Sequence, residues 1–329
     1  MLKFLKILKI ILFKNEIIFL NSPLQFLNYI EYENKLFLKK KISKKKNILF
    51  GFSNYDGSEY EIAKYLLKLL KIKNISILKL KNNIPKILFI AIIKLRGKMF
   101  NYKSLIIGNY NSFLSKEFYR YSREVVMVDD GTNSLHFKKF FNLDKKKLTI
   151  FSMFEKSVFN HNKFIKNRFI YLKSFFKKQI SKDHIILLGS ADVEKKLVKF
   201  EYYLKILKKI KNKYKKKKIF YFPHPKENYT NYSKYDFCII RSNKTIESYL
   251  LFEKFLPKKI IGFNSSAFIS ISSIYDKRIK LENYSVDFNL AENKSFIKKL
   301  KKRDVYFQLS LINKIEKYLQ KNIGVKTIN

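Results

Sequence analysis

The chain has 329 residues, 47% of them hydrophobic, with 32 Phe and 22 Tyr, so it holds enough apolar surface for more than one core and is not globally disordered. Its formal net charge is +44, and its single cysteine, Cys238, excludes a disulfide framework and a cysteine-based zinc site and points to a reducing, cytoplasmic setting. The lysines are spread over nearly every segment, arginine is scarce, and no zinc-finger, RNP-type or helix-turn-helix pattern occurs; specific nucleic-acid recognition is therefore not expected, and an anionic membrane surface is the better partner for this charge.

Residues 1–14, MLKFLKILKIILFK, set Lys3, Lys6 and Lys9 among Leu, Ile and Phe. The stretch is too short and too charged to span a bilayer, which needs roughly 20 apolar residues, and it lacks a small-residue cleavage site. It reads as an amphipathic helix lying on the inner face of the cytoplasmic membrane, with residues 1–15 outside the folded domains. A strand–helix alternation begins at residue 16. EIIFL, NILFGF, NISILKL, SLIIG and EVVMV read as strands, with helical spacing in LQFLNYIEYENKLF, EYEIAKYLLKLLKI and IPKILFIAIIKLRGK. Residues 151–183, aromatic and basic, read as a connecting segment. A second set follows: strands at HIILL, KIFYF, FCII and KIIGF, and helices at DVEKKLVKFEYYLKILKKIKNKY and TIESYLLFEKFL. The reading is an α/β protein with two Rossmann-like domains, 16–150 and 184–329, whose parallel sheets face a central cleft.

Polar residues cluster where the predicted strands end, which is where open α/β sheets bind ligands. Ser22, Pro23 and Gln25 follow the first strand, and Asp129, Asp130 and Gly131 follow EVVMV. Gly189 and Ser190 follow HIILL, with Asp192 and Glu194 just beyond. His224 stands between Pro223 and Pro225 after KIFYF; two prolines fix two φ angles and make a rigid post for an imidazole whose proton is exchangeable near neutral pH. Glu247 lies in the first turn of a predicted helix, and Ser265 and Ser266 follow the last strand, where hydroxyls and backbone amides suit a phosphate. Neither a complete GxGxxG nor a GxxxxGK[ST] is present, which argues against dehydrogenase and triphosphatase readings. No acid cluster with metal-ligand spacing accompanies Asp129 and Asp130, so no metal is expected.

The order of these motifs over residues 16–290 resembles the bacterial sialyltransferases of glycosyltransferase family 52, which act on lipooligosaccharide, with the capsule polysialyltransferases as relatives. The resemblance implies a GT-B fold and an inverting, metal-independent transfer of sialic acid from CMP-sialic acid to a terminal sugar, galactose above all, of a lipooligosaccharide or capsular glycan. It implies no cofactor and suggests a homodimer. Asp129 or Asp130 would be the base, with Asp192 as the alternative in the second domain. A protonated His224, with Pro225, Ser265 and Ser266, would stabilise the leaving phosphate. Gly131, Gly189, Ser190 and Glu247 would line the nucleotide site, Glu247 on the ribose, and Ser22, Pro23 and Gln25 the acceptor side. Two other readings stand beside it: a GT-B transferase using another donor such as a UDP-hexose, and a non-catalytic basic protein that binds membrane or nucleic acid.

Overall fold

The computed structural model of the protein describes residues 2–37, 46–51, 58–80, 86–110, 112–131, 134–135, 147–159, 161–175, 179–195, 197–224, 226–228, 232, 237–242, 244–286, 310 and 312–328. The chain divides into two compact units, Met1–Phe175 and Phe176–Asn329.

The first unit runs α1 (Leu2–Phe13), β1 (Glu16–Leu20), α2 (Pro23–Phe37), β2 (Lys46–Phe50), α3 (Ser58–Leu69), β3 (Ile75–Lys79), α4 (Lys86–Met99), β4 (Tyr102–Ile107), α5 (Phe113–Arg120), β5 (Ser122–Val128), β6 (Leu148–Ser152), α6 (Lys156–Phe159), β7 (Phe164–Lys166) and α7 (Ile170–Phe175). Among the described residues its sheet has seven strands in the order β3-β2-β1-β4-β5-β6-β7, every pair parallel. A parallel sheet covered on both faces needs continuous apolar strands rather than alternating ones. β1 meets this need with Ile17, Ile18, Phe19 and Leu20 all buried.

The second unit runs β8 (Gln179–Leu188), α8 (Phe200–Lys213), β9 (Lys218–Phe222), β10 (Cys238–Ile239), α9 (Ile246–Phe252), β11 (Phe255–Gly262), α10 (Ala267–Tyr275), β12 (Lys280–Tyr284) and β13 (Lys326–Ile328). Its sheet has the order β10-β9-β8-β11-β12-β13, again parallel throughout. α8 buries Tyr203, Ile206, Leu207 and Ile210, the i, i+3, i+4, i+7 stripe of an amphipathic helix, against Leu187, Tyr221 and Phe263. Counted from each unit's own first strand, both sheets follow 3-2-1-4-5-6, the doubly wound order. The two Rossmann-like α/β halves expected from the sequence are therefore present.

Two boundaries differ from the sequence reading. Residues 151–183 are not a separate connecting segment. Through Phe175 they complete the first unit, adding the end of β6 with β7, α6 and α7, and Phe151, Phe154, Phe159, Phe169 and Leu172 are core residues. β8 then begins at Gln179, ahead of the expected start at His184. Residues 1–15 are not a detached segment either. Ile7, Ile10 and Ile11 of α1 are buried, the Phe4 ring meets Phe89 edge-on at 6.2 Å, and the Tyr102 hydroxyl donates to the Ile11 carbonyl at 3.0 Å. Arg96, itself buried, donates from Nε to the Leu12 carbonyl at 2.7 Å and from its terminal nitrogens to Phe100 O and to Asn15 Oδ1. The inner face that the sequence assigned to lipid is thus protein core. Among the described residues no helix is long and apolar enough to cross a membrane.

Candidate functional site

At the carboxyl edge of the first sheet, Asp129 and Asp130 leave β5 in opposite directions, because successive residues of an extended chain face opposite sides. Asp129 points inward and is 1% exposed. The Ser152 hydroxyl donates to its Oδ1 at 2.7 Å and the Met153 amide to its Oδ2 at 2.5 Å, fastening the end of β5 to the end of β6. Burial pushes its carboxyl up to about 7, against the pull of these bonds. Enclosed in this way, Asp129 fastens two strand ends together and has almost no surface open to solvent. Asp130 is only half-buried. Its Oδ1 accepts from Gln25 Nε2 at 2.5 Å, and Gln25 Oε1 in turn accepts from the Asn21 amide at 2.6 Å. Gly131 follows with φ +64°, a left-handed turn that glycine adopts without strain.

Gln25, expected on the acceptor side, is fully buried and positions Asp130 instead. The close packing explains the residue at the end of β4: a Cβ on Gly108 would lie 2.1 Å from Gln25 Cδ. Ser22 and Pro23 are likewise helix-start residues. Ser22 Oγ accepts from the Gln25 amide at 3.3 Å, and Pro23, buried, opens α2 where its missing N–H costs nothing. Two further residues of the same α2 face were not singled out by the sequence. Asn28 donates to the Asp129 carbonyl at 3.4 Å and accepts from Asn167 at 2.7 Å. Glu31 accepts from the Leu172 and Tyr171 amides at 2.6 and 3.3 Å, capping α7. Their signal was the polar spacing 25, 28, 31 on a helix face otherwise made of buried apolar residues.

The second unit gathers its candidates at one carboxyl edge. Gly189 and Ser190 follow β8, Pro223 and His224 follow β9, and Asn264, Ser265 and Ser266 follow β11. The reversal of strand order falls between β8 and β11, the position where doubly wound sheets open a crevice for ligand. His224 Nδ1 accepts from the Lys226 amide at 3.1 Å, so the ring proton of the neutral imidazole sits on Nε2. Burial, then the nearby charges of Lys195 and Lys226, push the imidazole down to about 4. This corrects the expected protonated His224: at neutral pH it is an uncharged donor through Nε2–H. Pro225 lies outside the described residues.

The residue that sets this turn is Glu227, which sequence reasoning passed over. It is 7% exposed, and its Oε2 accepts from the His224 amide at 3.0 Å while its Oε1 accepts from the Tyr221 hydroxyl at 2.5 Å. The Tyr203 hydroxyl contacts the Tyr221 hydroxyl at 3.2 Å and accepts from the Ser190 amide at 3.2 Å, which links the β8 and β9 loops. Burial pushes the Glu227 carboxyl up to about 7. Gly189 is required beside it: a Cβ there would stand 1.9 Å from Glu227 Oε2 and 2.8 Å from the Tyr221 hydroxyl. Gly189→Ala should therefore displace Glu227 and destabilise the second unit by about 1–3 kcal/mol, the usual overpacking cost. Urea unfolding curves that superimpose for the two proteins would contradict that packing.

Asp192 is half-buried in the Ser190 loop; burial raises its carboxyl, opposed by a side-chain bond from Ser190. Glu194 Oε1 accepts from the Asn228 amide at 2.7 Å. Glu247 is buried and accepts from the Ser270 hydroxyl at 2.6 Å, so its carboxylate clamps α9 to α10 where a ribose contact had been expected. The helix cap itself is Thr245, which accepts from the Ser248 amide at 3.3 Å. Ser265 and Ser266 lead into α10. Ser266 is exposed and makes no side-chain cap bond, and Ser265 Oγ accepts from the Ala267 amide at 3.3 Å. Asn264, at φ +46°, holds the turn by exchanging two 2.7 Å bonds with Asn283.

No protein-family model matches the chain, and no curated protein matches it. Among solved structures, Arabidopsis thaliana UGT89C1 complexed with UDP-L-rhamnose is similar at 9% sequence identity and a TM-score of 0.44, over 87% of this chain and 83% of that one.

Proposed function

We propose that the protein is a glycosyltransferase that takes its sugar from a nucleotide donor, and that the donor is CMP-sialic acid. The observation that carries the reading is the second unit's carboxyl edge. There the neutral Nε2–H of His224, held by Glu227 and the Lys226 amide, shares the edge of a doubly wound sheet with Ser190 and the serine-led start of α10. Donors fixed before the reaction, at a strand-order reversal, suit a leaving phosphate. As the bond between the anomeric carbon and the phosphate oxygen breaks, negative charge moves onto that phosphate. His224 meets it as a hydrogen-bond donor, with the Ser265 and Ser266 hydroxyls and the first α10 amides beside it. A carboxylate takes the proton from the acceptor hydroxyl as it attacks, giving inversion in one displacement. Asp130 is the base we propose, with Asp192 the alternative. The motif order that resembles family 52 supports sialic acid over a hexose, and a glycan acceptor at the inner membrane face over a soluble one.

The test is a donor panel. The protein is incubated with a galactose-terminated acceptor and either CMP-sialic acid or UDP-hexoses, and free CMP and UDP are measured. Acceptor-dependent CMP release is expected, unchanged by EDTA. Release of UDP alone would transfer the site to the UDP-hexose reading, and no release with any donor would favour a non-catalytic protein. His224→Ala should cost roughly 10²–10³ in turnover, the usual loss when one fixed donor to a developing anion is removed. Full activity in that variant would remove His224 from the phosphate.

A further inference from the structure

α1 and α4 lie side by side and run in the same direction. Phe4 meets Phe89 near their beginnings, and Arg96 bonds the Leu12 carbonyl near their ends. Each buries one face in the unit, Ile7, Ile10 and Ile11 from α1, Phe89 and Ile93 from α4. The opposite face of such a surface helix is ordinarily polar. Here it is not. α4 leaves Ile87, Leu88, Leu95 and Met99 exposed, by 79%, 42%, 60% and 64%, on one stripe, and Phe100 follows them. α1 adds exposed Leu5 and Phe13. Exposed Lys6, Lys9, Lys14, Lys94 and Lys98 are interspersed, and neither helix contains an Asp or Glu.

We propose that this α1–α4 face docks the protein on an anionic lipid surface. Exposed apolar patches of this kind mark interaction sites, and the charge decides which one. A second copy of the chain would set lysines against lysines across a self-complementary interface. Anionic headgroups complement them, and a helix pair lying flat sinks its Leu, Ile, Met and Phe side chains about 5–10 Å into the headgroup boundary while the lysine stems reach back to the phosphates. The docking element is a rigid face of the first unit, distinct from the free N-terminal tether suggested by the sequence. It stands independently of the reaction and is measured without any sugar donor.

Co-sedimentation of the full chain with phosphatidylcholine vesicles, with and without phosphatidylglycerol, tests it. Binding is expected to the mixed vesicles and to fall with salt, since each lysine near such a surface strengthens binding about fivefold. The variant Ile87→Ser/Leu95→Ser/Met99→Ser changes exposed positions only and keeps every lysine, so it separates this face from charge elsewhere on the chain. It should bind the mixed vesicles roughly a hundredfold more weakly, from the loss of buried apolar area, with an unchanged melting temperature. If the triple variant melts early, Leu95→Ser alone, at a position 60% exposed, makes the same comparison at unchanged charge. Undiminished binding by these variants, absence of binding by the intact protein, or equal binding to neutral vesicles would each overturn the proposal. So would self-association that the serine variant abolishes while its vesicle binding persists, because the face would then join copies of the chain.

Discussion

On the proposed reading, Asp130→Asn should lower transfer by roughly 10²–10⁴, the range for loss of a positioned general base, with little change in stability. The amide keeps the shape of the carboxylate, and Asp130 is half-buried with Oδ1 directed to Gln25 Nε2, so the fold asks little of its charge. Asp129→Asn is the contrasting case. The buried Met153 amide can only donate, so the Asn carbonyl must face it, and the amide nitrogen then meets Ser152 Oγ, whose hydroxyl has to turn away and lose its acceptor. That variant should lose stability, with melting temperature as the measurement, while surviving molecules keep most of their turnover. Turnover is read as CMP release at saturating acceptor. If Asp130→Asn is as fast as the wild type and Asp192→Asn is slow, the base belongs to the second unit.

Deletion of residues 2–13 abolishes folding of the first unit. Ile7, Ile10 and Ile11 are each no more than 4% exposed, and at about 1.5–3 kcal/mol for each buried aliphatic side chain their loss removes roughly 5–9 kcal/mol. A whole domain is stable by only about 5–15 kcal/mol. The deletion also strips Arg96 of its carbonyl partner at Leu12 and Tyr102 of its partner at Ile11, leaving buried donors unpaired. Ile10→Ala gives a graded version, with a loss of about 2–5 kcal/mol expected in urea unfolding. A soluble truncated protein with an unshifted melting transition would return α1 to the status of a detachable segment.

The strand–helix alternation was legible because buried parallel strands must be continuous apolar runs, and these stand out between polar turns. The carboxyl-edge residues were legible for the same reason: they begin where the runs stop. What was hidden is what depends on the far side of a contact. An amphipathic helix shows the same stripe whether its partner is lipid or α4, so α1 was misplaced. β7, three residues long, carries no period from which to identify it, and the aromatic stretch around it looked like a connector. Glu227 is written plainly in the sequence, three residues after His224, yet its importance comes from Tyr221 and Gly189 being folded against it. The uncharged state of His224 likewise comes from burial and from Lys195, on a different loop.

The polar face of α2 bears on how the chain is made. Gln25, Asn28 and Glu31 find their partners 105, 139 and 141 residues further on, at Asp130, Asn167 and Leu172. On a ribosome adding about 5–20 residues each second, α2 emerges roughly 5–30 s before the last of those partners has been synthesised. Through that interval three side chains destined for a water-free interior remain hydrated, which opposes the seating that the apolar residues of α2, Phe26, Leu27 and Ile30, favour. Full closure of the first unit is therefore expected only when β7 and the start of α7 have arrived. A nascent chain arrested before Asn167 should still be open to protease around α2, and one released beyond Phe175 should be protected.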